Sequence, residues 1–223
     1  MNCMILSFIL AHLNVITLGM WGIFFGIILV RFMRPLWVKN ISYQWLIFSA
    51  VAIHLLCVFF VVGGQYYIWA TSSDLTRALL SAPLPAEAPL PAILEWMRPY
   101  FSHSLGYFFY YVFGRFFLNI IILFVVTGFF YAVLKFLFFR QNNFGTNDPE
   151  ILCILMLVVG WPGIAVLIPL GFVLAIFFSI IALVFLKENQ TSLTPAFLVA
   201  TPITIIGAKT ILNLLHLYPL LKI

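Results

Sequence analysis

Lys209, Asn213 and His216 fall within about 60° of one another around a helix that turns about 100° per residue, which gives an otherwise lipid-compatible stretch one polar face. A lysine and a histidine at bilayer depth are costly. Such a face is expected to look into protein or water, either lining a path for an ion or polar solute or meeting another helix. Tyr111, Arg115 and Asn119 are spaced by four and form a second polar stripe. Tyr107, Tyr110 and Tyr111 mark an aromatic girdle, so Arg115 lies only about four residues, roughly 6 Å, inside the hydrocarbon. Helical side chains tilt toward the N-terminus, here the near surface, so Arg115 reads as an interfacial anchor or a contact for a partner helix. His12 and His54, on antiparallel first and second spans, both come about 12 Å below the outer surface. Two histidines at matched depth suit a haem iron or another metal, and ordinary interhelical hydrogen bonds are the simpler reading.

The groups that are missing narrow the chemistry further. All six acids, Asp74, Glu87, Glu95, Asp148, Glu150 and Glu188, fall in loops or at span ends, with no buried carboxylate to relay protons or pair with Lys209. No H-E-x-x-H, Cys-x-x-Cys, P-loop or G-x-S-x-G is present, so a non-catalytic chain with no cofactor is expected, haem being the one exception to weigh. Cys3, Cys57 and Cys153 are odd in number and sit in apolar runs, where inert buried thiols are the default.

These groups are carried by a chain of 223 residues that is 65% hydrophobic and 8% charged, far from the roughly 25% charge of a soluble domain. Several apolar runs exceed the roughly 18 to 20 residues needed to cross about 30 Å of hydrocarbon. The fold class is therefore an all-α, polytopic transmembrane helical bundle, read as a single membrane domain whose first partner is the lipid bilayer. The net charge of +5 comes from scattered Lys and Arg, with no cluster long enough to track a nucleic acid. Residues 1 to 30 lack a basic n-region and carry an apolar stretch too long for a signal peptide, so they read as a retained span.

The spacing predicts spans at about residues 4–30, 43–65, 111–134, 163–186 and 195–218. Loops 31–42 and 135–150 hold five Lys and Arg, whereas loop 71–106 holds Arg77 and Arg98 against three acids. The positive-inside bias puts the basic loops inside, and the N-terminus and the long loop outside, in a bacterial cytoplasmic or organellar inner membrane.

The apolar run 151–186 would be roughly 54 Å long as one helix, too long for a single untilted crossing. "GWPG" is the natural interruption, with Pro162 removing a backbone donor and Gly160 and Gly163 loosening the chain. Residues 151–163 are read as a kinked or re-entrant segment before the fourth span, which gives five crossings and a C-terminus inside. The competing reading is a tight hairpin of two short spans, which makes six crossings and reverses the C-terminal side.

Two features suggest docking. Gly19, Gly22 and Gly26 in "GMWGIFFG" would let another helix approach closely. Pro83, Pro85, Pro89 and Pro91 favour an extended external strut, preceded by a short helix that Ser73 can cap and followed by Trp96 at the membrane surface. The sequence therefore points to a multi-pass subunit of a larger respiratory, translocation or secretion assembly, with other membrane subunits as partners. A channel or transporter along the last span, and a haem-binding redox subunit, are the alternatives.

Overall fold

The computed structural model describes residues 12–37, 40–90, 92–140, 147–187 and 192–218. Every regular element among them is helical, and five helices are long and apolar enough to cross a membrane: Val15–Met33, Tyr43–Ser72, Gly106–Leu137, Ile164–Phe185 and Thr194–Leu214. The all-α membrane bundle expected from composition is the observed class. In chain order the α-helices are α1 Leu13–Met33, α2 Tyr43–Ser72, α3 Asp74–Ser81, α4 Arg98–Phe101, α5 Gly106–Val112, α6 Leu118–Arg140, α7 Asp148–Val159, α8 Ile164–Ile181 and α9 Thr194–Leu214. A 3-10 turn, Ala92–Met97, precedes α4, and π-helical turns at Phe113–Phe117 and Ala182–Leu186 follow α5 and α8. Residues 4–11 of the expected first span, Pro91 and most of the loop after α6 lie outside the described residues.

The ends of the spans differ from the hydropathy reading where polar aromatics continue a helix. α2 has 30 residues, about 45 Å, so it outlasts the hydrocarbon and carries Tyr66, Tyr67 and Trp69 onward as helix instead of ending near residue 65. The third span likewise begins at Gly106, five residues before its expected start at 111.

The chain divides into two compact units, and both α2 and the third span contribute to each. The first comprises His12 and His54–Asn119. Its small core is Leu80, Phe108 and Val112, with Trp69 packed on Tyr107, Phe108 and Tyr111 at ring-centroid distances of 6.2, 5.3 and 5.2 Å. Ser73 caps α3 as expected: its hydroxyl accepts from the Thr76 amide at 3.2 Å, and Thr76 Oγ1 accepts from the Ser73 amide at 3.1 Å. The loop then folds back on itself. The Leu84 amide donates to the Phe101 carbonyl at 2.9 Å and the Tyr107 amide to the Ala82 carbonyl at 3.1 Å. A Cβ on Gly106 would run into the Phe101 carbonyl, so only glycine permits this closure.

The second unit is built from Leu13–Ile53 and the described residues from Ile120 onward. At its centre is α7, only 12 residues long, about 18 Å, and too short to cross the hydrocarbon alone. Ile151 through Val158 are all buried, as an all-apolar helix requires. α7 ends at Gly160, whose φ of 71° favours glycine, and "GWPG" turns the chain into α8. The apolar run 151–186 is thus broken at "GWPG" into a short buried helix and a longer one. The close-packing glycine is a different one: a Cβ on Gly171 of α8 would come within 2.6 Å of the Phe197 ring on α9. Gly19, Gly22 and Gly26, expected to pack, have nothing within 4 Å of a built Cβ, because their side of α1 faces away from the rest of the described chain.

The direction of each leg follows from which ends meet. The first turns of α7 and α9 are joined by a hydrogen bond from Thr194 to Asp148, so both helices start at one end of this unit. Thr17 and Trp21 from the start of α1, Trp161 and Pro162 from the turn, and Lys209 from near the end of α9 line one pocket at the other end. The N-terminal end of α1 and the C-terminal end of α9 therefore lie at the same end. The short α7 supplies an extra leg of the path and α8 returns from its turn, the arrangement of the competing six-leg reading.

Candidate functional site

The sequence-predicted residues fall into three places. In the first unit, Tyr111, Arg115 and Asn119 lie beside one another. The Arg115 guanidinium carbon lies 5.6 Å from the centre of the Tyr111 ring, and Asn119 Nδ2 donates to the Arg115 carbonyl at 2.9 Å. Arg115 is exposed and sits inside the π-helical turn Phe113–Phe117. That turn, which hydropathy and fourfold spacing do not reveal, shifts the face the arginine presents. Among the described residues no acid forms an ion pair with it.

The proline segment of the same unit is clamped rather than extended. Arg98 donates from Nε and Nη2 to the two Glu95 carboxylate oxygens at 2.6 and 3.0 Å, from Nη2 to the Ala88 carbonyl at 3.3 Å, and from Nη1 to the Ala86 carbonyl. The Ala88 amide closes a turn onto the Pro85 carbonyl at 3.0 Å. The straight strut is corrected on this ground, because a turn and an arginine fork bend it back. Pro83, Pro85, Pro89 and Trp96 remain exposed. Hydrogen bonding from Arg98 holds the Glu95 carboxyl below the ordinary carboxylate range.

In the second unit, Lys209 and Asn213 are exposed on α9, and Lys209 lines the pocket beside the "GWPG" turn, about 300 Å³ in volume. His216 does not continue their face. α9 stops at Leu214, and His216, with φ of 54°, is the left-handed residue that closes the helix. The His216 amide donates to Asn213 and the Leu217 amide to Leu212, at 3.1 and 2.9 Å. His12 stands in the turn before α1, and His54 is half-buried in α2. Among the described residues, no group of three or more His, Cys, Asp or Glu side chains is placed to hold a metal ion.

A polar cluster that spacing did not reveal lies at the opposite end of the second unit. Asp148 is 5% exposed and accepts from Ser192 Oγ at 2.9 Å on both oxygens and from Thr194 Oγ1 at 2.6 Å. It is a buried carboxylate where none was expected, stabilised by hydroxyls 44 and 46 residues away. Beside it, Lys135 Nζ donates to Tyr131 Oη at 3.1 Å and Tyr131 donates to Glu150 Oε1 at 3.4 Å. The Arg31 guanidinium lies 4.3 Å from the Tyr43 ring centre at the junction of α1 and α2. The local signal for the Asp148 helix start is "NDPE", an acid and a proline in a first turn; its hydroxyl partners are distant in sequence.

These arrangements brace helices and present cations at helix surfaces. Comparison with protein-family models, with curated proteins and with solved structures finds no match for this chain.

Proposed function

We propose that the chain is a non-catalytic multi-pass subunit of a larger membrane assembly of respiratory, translocation or secretion type, holding its partners through outward-facing helix surfaces. The observation that carries this reading is Arg115: an exposed cation in the π turn of a membrane-crossing helix, without an acid partner among the described residues. A cation on the surface of a span is costly against lipid and favourable against an acid or carbonyl of another chain. The glycine side of α1, which meets nothing among the described residues, adds a surface that a second helix can approach closely. The clamped loop supplies a rigid external feature with Trp96 exposed, which reduces the ordering cost of docking.

The positive-inside bias supports placing the end that carries Arg31, Arg34, Lys135 and Lys187 in the cytoplasm or matrix, with the start of α1 outside. A channel or transporter is the second reading, favoured by the pocket beside Lys209. It ranks lower because Ile151–Val158 fill the middle of the second unit with apolar side chains and line no polar route.

Crosslinking in intact membranes, followed by mild-detergent purification and mass spectrometry, tests the proposal. Stoichiometric partners that are lost with Arg115→Ala and kept with Arg115→Lys are the expected result. A lone chain or a pure homo-oligomer, together with ion or solute flux in liposomes that Lys209→Ala abolishes, would replace the subunit reading with transport.

A further inference from the structure

The pocket beside Lys209 has a composition that the subunit reading does not use. Its volume of about 300 Å³ is small for a ligand site, at the lower edge of the roughly 300–1,000 Å³ of small-molecule pockets, and suits a head group better than a whole cofactor. Among the described lining residues Lys209 is the one charged side chain, with no acid beside it. Trp21, Trp161 and Tyr218 supply amphipathic rings, and Leu18 and Ala208 supply apolar wall.

Placement between helices fits the same chemistry. Lys209 lies five residues before the end of α9 and Trp21 eight residues into α1. A cation set among tryptophan and tyrosine rings beside an apolar wall suits an anionic lipid head group and its acyl chain. We infer that this pocket binds an anionic phospholipid, with the phosphate on the Lys209 ammonium, the glycerol region among the aromatic rings and an acyl chain against the apolar wall. The assignment is independent of whether the chain works in an assembly.

The test uses the full chain in phosphatidylcholine vesicles, doped with brominated phosphatidylglycerol or, in parallel, with brominated phosphatidylcholine. Bromine quenches tryptophan fluorescence on close approach, and Trp21 and Trp161 report from the pocket. Saturable extra quenching by the anionic lipid is expected. Lys209→Gln should weaken its apparent affinity about fivefold, the effect of one cation near the surface, and Lys209→Arg should retain it. Replacing Trp21 and Trp161 by Phe should remove the extra signal. Equal quenching by both lipids in the unsubstituted protein overturns the proposal whatever the variants do. So does selectivity unchanged in a folded Lys209→Gln variant, and so does loss of the extra quenching on adding water-soluble glycerol phosphate, which would make a free phosphate the ligand.

Discussion

Thr194 Oγ1 donates to the Asp148 carboxylate at 2.6 Å, tying the first turn of α9 to the first turn of α7 across 46 residues of chain. The single Ser192 hydroxyl adds a bifurcated contact to both carboxylate oxygens at 2.9 Å, and the acid also complements the positive end of α7. Hydrogen bonds to a charged group contribute about 1.5–3 kcal/mol each at most, with less than additive sums. Asp148→Ala is expected to destabilise the second unit by about 2–3 kcal/mol, and Thr194→Val by about 1–2 kcal/mol through the lost hydroxyl bond to the carboxylate, which Ser192 still partly satisfies. Thermal unfolding in mild detergent measures both, and an unchanged midpoint for Asp148→Ala would show that the tie adds nothing.

Gly171 and Phe197 set the approach of α8 to α9. A methyl at Gly171 must displace a ring that is itself fully buried, so Gly171→Ala should cost about 1–3 kcal/mol. The Phe197→Leu change should partly restore Gly171→Ala while being destabilising by itself. Gly22→Ala, whose Cβ meets nothing within 4 Å, should leave the isolated protein's unfolding unchanged.

The Glu95–Arg98 clamp gives the external loop a pH dependence whose sign is determined. Glu95 has a folded-state pKa below its unfolded value, so the clamp's contribution is complete above the ordinary glutamate pKa and disappears as pH falls through the lowered one. Acidification below the ordinary carboxylate range should therefore speed amide exchange in 82–90 selectively. Glu95→Gln should show that faster exchange already at neutral pH, with little further change on acidification. Identical exchange in the two proteins at neutral pH would rule out the clamp.

The same-end placement of the start of α1 and the end of α9 predicts the labelling of single cysteines in sealed vesicles made from a chain without Cys3, Cys57 and Cys153. Val15→Cys and Leu215→Cys should react from one side with an impermeant maleimide, and Trp37→Cys from the other. Labelling of positions 15 and 215 from opposite sides would restore the five-crossing path.

Much of the architecture follows from local properties. Hydropathy marked five spans because a segment in lipid must satisfy its own backbone over about 30 Å, a requirement that acts residue by residue along one helix. The same locality made the Ser73 cap, the break at "GWPG" and the Tyr111, Arg115, Asn119 stripe readable. The π turn around Arg115 was not readable, since a one-residue widening of a helix leaves apolar composition unchanged. The bent proline loop was not readable either, because its shape depends on Arg98 reaching back 10 and 12 residues to carbonyls that any residue carries.

The amino-acid sequence by itself thus determined that this is a helical membrane chain and which stretches of it are apolar enough to cross. Only the tertiary structure decided that Gly171 rather than the glycine side of α1 packs closely, that Asp148 is buried, and that Lys209 joins Trp21 and Trp161 around one pocket. Each depends on the direction and rotation of one helix against another. Hydropathy is indifferent to both, since a span of either direction and any rotation satisfies the same lipid.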